Sequence, residues 1–280
     1  MKGACNYHSI TVVGEDEPTT IQNFLNQFHA LLEVYYFINK LVMNETKTKF
    51  LVHKHINEKT PGFKLTIKTR NNDTITDDNA IKVLGFWINK RGNYQTHLQK
   101  KKALATVQLK KLRPLTNLIP MNQRKIVIKS KIMSILEYGA PLFSGETDDT
   151  KRIFHTGIMN CYRAIKNKFI YMESCKSICA HIGEPLPLQK LELLTIIQTH
   201  KLMKNLEPKS IMKFIKDQAH PRKCKNLVSK IEARTIKRKR SFLYKLPQIF
   251  NQIPHELKML PNRLFKKRLE KYEISKSPIT

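Results

Sequence analysis

The sequence predicts an α+β protein: a small antiparallel sheet with one long amphipathic helix, followed by a mostly helical, strongly basic domain. Three observations carry this. Apolar residues recur at helical spacing from Ile21 to Ile38. Short alternating runs follow at 49–53, 63–68 and 81–89. After Gly92 the alternation stops and long basic helical patterns begin.

Ile10 to Val13 reads as a short buried strand preceded by Asn6-Tyr7-His8-Ser9. Pro18 opens the first helix, with Asp16 or Glu17 at its positive end. Ile21, Phe24, Leu25, Phe28, Leu31, Leu32, Tyr35 and Ile38 form its apolar stripe. Lys49 to His53 and Phe63 to Lys68 alternate as strands, and Asn71-Asn72-Asp73 marks a turn. Ile81 to Asn89 reads as one strand interrupted at Gly85 by a bulge. Helices follow over 96–118, stopped near Pro114, and over 122–138, closed by Gly139-Ala140-Pro141. Further helical patterns cover 148–166, with Asp148 and Asp149 at the N-terminus, then 187–205 and 209–217. From Arg222 onward the chain is basic and weakly patterned, though Phe242 to Phe250 and Ile253 to Leu260 keep some apolar content. The expected organisation is therefore 1–92, 93–220 and a weakly structured basic tail, 221–280.

The 280 residues carry 51 Lys and Arg against 22 Asp and Glu, a net charge of +29. Such an excess favours polyanionic partners. It is unevenly spread. Between Asp78 and Glu137 there is no carboxylate, while Lys82, Lys90, Arg91, Lys100, Lys101, Lys102, Lys110, Lys111, Arg113, Arg124, Lys125, Lys129 and Lys131 fall within that interval. Structural helices usually mix signs to gain i, i+4 pairs, so two acid-free basic helices point to phosphate contact and salt-sensitive binding. Lys237 to Arg240 is a second basic run, readable as a nuclear-localisation patch or a solvated tail.

Five cysteines at irregular spacing, an odd number, argue against a secreted disulfide framework and fit reduced thiols in cytosol or nucleus. No apolar run reaches the roughly 20 residues that span a bilayer, and no secretory signal is expected. Cys175, Cys179 and His181, with His220 and Cys224, are the potential zinc ligands. The C-x3-C spacing lacks a tight knuckle, however, and suits a helix whose cysteines face a core. His53 and His55 alternate on a strand without a third ligand and read as surface residues. Trp87 beside Gly85 fits a core position as well as a base-stacking one.

The order of these elements resembles the C-terminal part of the reverse transcriptase of non-LTR retrotransposons. The family pattern Leu-x-x-Asn-x-x-Lys-Thr is matched by Leu41, Asn44, Lys47 and Thr48. A Leu-Gly strand is matched by Leu84 and Gly85, and a thumb segment Ser-Ile-Leu-Glu-Tyr-Gly by Ser134 to Gly139. The likeness covers about residues 5–205. It implies a palm-like sheet, a thumb-like helical domain, and RNA, DNA or an RNA–DNA hybrid as partner. It also implies that Lys47 lies near the incoming nucleotide. The family's Asp-Asp pair falls on His8 and Ser9, and Met1 to Gly14 holds no Asp or Glu. Active members hold Mg²⁺ on carboxylates. Mg²⁺ wants oxygen ligands, so neither substitute serves. The implied protein is a catalytically inactive, truncated relative without a metal cofactor, located in nucleus or cytoplasm, with a separate chain carrying the N-terminal half as a further expected partner. The expected contacts to nucleic acid are Lys47, Lys90, Arg91, Lys100, Lys101, Lys102, Lys110, Lys111, Arg113, Arg124 and Lys125. The competing readings are an independent basic helical RNA-binding or scaffold protein, and a decayed element fragment with no selected role.

Overall fold

The computed structural model describes residues 18–40, 49, 51, 66–68, 74–76, 78–90, 92–167, 173–205, 209 and 235–276. They fall into two units that meet in sequence at Asn93 and Tyr94. The expected strand at 10–13, the histidines His53 and His55, and nearly all of the helical pattern at 209–217 lie outside the described residues.

In the first unit, α1 (Pro18–Ile38) is the helix that the apolar period requires. Its Gln22 holds β1 (Thr66–Lys68) with both ends of its amide: Nε2 donates to the Thr66 carbonyl, and Oε1 accepts from the Thr66 N–H at 2.9 Å. β1 pairs antiparallel with β2 (Thr74–Thr76), Ile67 opposite Ile75. β3 (Ala80–Val83) and β4 (Phe86–Asn89) form a second antiparallel pair, Ile81 opposite Ile88. The sequence reading of one bulged strand over 81–89 is thus corrected to a two-residue hairpin. Leu84 and Gly85 both have positive φ, 48° and 84°, the requirement of a turn whose twist matches the flanking strands. Leucine at such a position is unusual, which is why the turn was hidden in the sequence. Three residues of the α1 stripe, Leu31, Tyr35 and Ile38, are more than half exposed, as are Val34 and Phe37 beside it.

The second unit is helical. α2 (Gln95–Leu112) runs into a 3₁₀ turn (Arg113–Leu115) where Pro114 removes the next backbone donor. α3 (Met121–Ile128), a π turn (Lys129–Met133) and α4 (Ser134–Glu137) make one continuous segment, and Gly139, at φ 76°, turns it into α5 (Ala140–Phe143). α6 (Asp148–Lys166) ends on Asn167 in the left-handed conformation. α7 (Cys175–Ile182) is capped by Ser174, whose side chain accepts from the Ser177 N–H, and stops at Gly183. α8 (Pro187–Asn205) follows. α2, α3, α7 and α8 all pack on α6. The core between them holds Leu98, Ile128, Met133, Leu136, Phe143, Phe154, Ile158, Tyr162 and Ile165, all buried.

The reading of 221–280 as a weakly structured tail is corrected over its described part. Residues from Ile236 form α9 (Ile236–Arg240), α10 (Phe242–Gln252), α11 (His255–Lys258) and α12 (Asn262–Lys276). Thr235 and Ser241 cap α9 and α10 with their hydroxyls. Ile253, Leu257, Phe265 and Leu269 bury themselves with Leu193 of α8, and Phe242 and Leu246 with Leu202. The His200 ring stacks on Phe265 at 3.7 Å, with Nδ1 3.0 Å from Asn262 Oδ1 and Nε2 3.2 Å from the Lys258 carbonyl. These apolar positions are helically spaced, but a dense background of Lys and Arg masks the period.

Candidate nucleic-acid interface

α2 sets out a line of cations. Lys100, Lys110 and Lys111 are exposed, as is Arg113 in the 3₁₀ turn, while Lys101 and Lys102 are half-buried on the same helix. Lys101 lies with Nζ 5.1 Å from the centre of the Tyr138 ring. From Lys100 to Lys111 the helix advances about 16 Å. Lys110 and Lys111 also stand in the last turn, where the helix dipole favours positive charge, so helix stability accounts for part of their presence. Between and beyond these cations Leu104, Val107, Leu115 and Leu118 are exposed. They are aliphatic, and no exposed aromatic interleaves with them on α2 or the 3₁₀ turn. Tyr138, 45% exposed, lies against Lys101, so the surface offers phosphate contacts with one exposed aromatic ring at its edge.

α3 behaves differently, and two expected contacts are corrected here. Arg124 is buried, 7% exposed. Its Nε donates to the Ile165 carbonyl at 2.6 Å, Nη1 to the carbonyls of Thr116 and Ile119, and Nη2 to that of Lys166. It closes the C-terminal end of α6, where carbonyls lack helical partners and the dipole is negative. No phosphate reaches it. Lys125 donates to the Ile182 carbonyl at 2.7 Å and pairs with Glu184 at 2.9 Å. Lys129 joins the same carboxylate at 2.7 Å, and Lys190 at 3.6 Å; Lys190 also lies 3.1 Å from Glu137. The Glu184 side chain is 5% exposed. Burial pushes its carboxyl up, but the hydrogen bonds from Lys129 and Lys125 and the charge of Lys190 outweigh that and hold it below the usual carboxylate range. The acid-free stretch is thus neutralised from a distant segment. Sequence reasoning missed Glu184 because a local window cannot show a partner 55 residues away.

The remaining expected residues do not gather on this surface. Lys90 ends the β4 hairpin in the first unit, with its N–H on the Asn79 carbonyl at 3.2 Å. Lys47, Arg91, His8 and Ser9 lie outside the described residues, as do His220 and Cys224. Trp87 is half-buried on β4. Cys175 and Cys179 lie one turn apart on the same face of α7, Cys179 buried and Cys175 partly exposed, while His181 is exposed. Burial pushes the Cys179 thiol up to about 11, and that of Cys161 to about 12. Among the described residues no group of three or more His, Cys, Asp or Glu side chains converges as a metal site requires, and no helix is long and apolar enough to cross a membrane.

His97, fully buried on α2, lies 6.4 Å from the rings of both Tyr138 and Phe143. Burial, then the charge of Lys101, lowers its pKa to about 4 against a backbone hydrogen bond at Tyr138. It is neutral at pH 7 and belongs to the packing under the cationic surface.

No protein family, curated protein or solved structure matches the chain.

Proposed function

We propose that the second unit binds a nucleic-acid backbone along α2 and the 3₁₀ turn, through Lys100, Lys110, Lys111 and Arg113 with Lys101 and Lys102 beside them. One observation carries this. The cations of α3 are taken up by carbonyls and carboxylates of the fold, whereas α2 contains no acid, and among the described residues no carboxylate forms an ion pair with Lys110, Lys111 or Arg113. The resemblance to non-LTR reverse transcriptases supports the same reading: a palm remnant and thumb, with His8 and Ser9 where carboxylates would hold metal, and hence no polymerase activity.

The test is fluorescence anisotropy with an RNA–DNA hybrid, a DNA duplex and a random single strand over a salt series. Tighter binding to the duplex forms, weakening steeply with salt, is expected. Equal weak binding to all three contradicts the reading. Magnesium-dependent primer extension by the purified chain would contradict the inactive assignment.

The exposed Leu104, Val107, Leu115 and Leu118 favour a second reading, a scaffold that docks an acidic, apolar helix on the same face. A saturable complex with such a peptide that survives high salt, without duplex binding, would select it.

A further inference from the structure

Lys237-Arg238-Lys239-Arg240 is the only stretch of four consecutive cations in the chain, and it ends directly on a hydroxyl, Ser241. The run makes up most of α9, and Ser241 is the joint between α9 and α10. Its Oγ donates to the Arg238 carbonyl at 2.7 Å and accepts from the Tyr244 N–H at 3.3 Å. Its backbone is extended, φ −64° and ψ 146°. Arg238, Lys239 and Arg240 are exposed. Cap chemistry accounts for the hydroxyl, as it does at Ser174, where Met172-Glu173 precede the cap. It does not account for the cations. They stand at the positive end of the eleven-residue α10, where the dipole disfavours them, and the single turn of α9 offsets little of that.

A helix of five residues is far below the length that holds itself in water, and the first residue of α9, Ile236, is 69% exposed. α9 therefore opens at low cost from that end. Opening presents the cations in extended form ahead of an extended serine. Kinases select substrates by charge pattern, and cations two and three residues before a hydroxyl fit a groove that holds carboxylates at those places. We propose that Ser241 is the acceptor of a basophilic serine/threonine kinase, and that phosphorylation frees α9 while it holds the start of α10. In the transfer, Ser241 Oγ attacks the γ-phosphorus of ATP. The Oγ–P bond forms, the bond from that phosphorus to the bridging oxygen breaks, ADP leaves, and the hydroxyl proton passes to the kinase's catalytic carboxylate. The phosphate adds about two negative charges at the positive end of α10, where first-turn N–H groups donate to its oxygens. The hydrogen that bound the Arg238 carbonyl is gone, and the phosphate oxygens repel that carbonyl. This inference is independent of the α2 face.

The test uses the folded full chain, magnesium ATP labelled at the γ-phosphate, and the catalytic domain of an arginine-directed serine/threonine kinase, with an acid-directed kinase as control. The arginine-directed kinase is expected to place label on Ser241, located by mass spectrometry of the peptides, and the control kinase is not. Ser241→Asn keeps a capping side chain and takes up no label in this segment. Ser241→Thr keeps both cap and acceptor and retains uptake. Arg238→Gln/Lys239→Gln leaves the cap untouched and slows uptake by roughly tenfold or more, the effect of losing a charge-assisted contact. In the phosphorylated chain, hydrogen exchange is expected to speed up in α9 and to slow at the Tyr244 amide. Label at Thr235 or elsewhere with none at Ser241, uptake only after heat denaturation, or an unchanged rate in Arg238→Gln/Lys239→Gln overturns the site. Unchanged exchange in α9 of the phosphorylated chain overturns its release.

Discussion

Arg124 shows how a residue's type and its role separate. A guanidinium in a basic helix reads as a phosphate contact, yet this one spends its donors on carbonyls at the end of α6 and in the turn after Pro114. Replacing it by methionine keeps the stem and leaves those buried carbonyls unsatisfied. A loss of about 2–4 kcal/mol is expected in urea unfolding, with the salt dependence of duplex binding unchanged in the protein that remains folded. His97 gives a second outcome at this scale. Its pKa is about 4 in the fold, against an ordinary value of 6.5. Between these values the unfolded chain binds the extra proton, so the stability contributed by the neutral ring is full above about pH 6.5 and lost as pH falls toward 4. His97→Gln is expected to flatten the decline of stability across that window, measured by urea unfolding at half-unit pH steps. An unchanged decline contradicts the buried, neutral imidazole.

At the scale of elements, what was legible in the sequence depended on whether a signal was local. α6 and α8 lie at 148–166 and 187–205, where the helical patterns put them, with Asp148 and Asp149 at the start of the first. The β3–β4 hairpin was not legible, because its turn places a leucine at positive φ. α9 to α12 were obscured by charge density, although Phe242, Leu246, Ile253, Leu257, Phe265 and Leu269 keep helical spacing and are buried. The structural use of Lys125 and Lys129 was not legible either, since Glu184 comes from beyond α7. Two variants probe these joins. Gly145→Ala would force its methyl onto the Arg240 carbonyl, so the end of α9 must move. A cost of about 1–3 kcal/mol is expected, with faster hydrogen exchange confined to α9 and the start of α10. Glu184→Gln leaves Lys125, Lys129 and Lys190 without their shared charge. The depressed carboxyl contributes stability above the ordinary carboxylate range and loses it as pH falls, so this variant is expected to be less stable than wild type at pH 7 and to converge with it under acid.

On the scale of the whole molecule, the net charge of +29 divides into cations that hold the fold and cations that face outward. The first kind, Arg124, Lys125, Lys129 and Lys190, tie α3 and α8 to α6 and to the loop after α7. The second kind lines α2 and the 3₁₀ turn. That division is the central claim, and one comparison tests it most directly: the salt dependence of DNA-duplex binding in Lys110→Gln/Lys111→Gln/Arg113→Gln against Lys125→Gln. The triple variant is expected to reduce the slope of log K against log salt by about three, one unit for each lost phosphate contact, with little change in stability. Lys125→Gln is expected to leave the slope intact and lower the Tm. Equal slopes for wild type and the triple variant, or a reduced slope in Lys125→Gln, would contradict it.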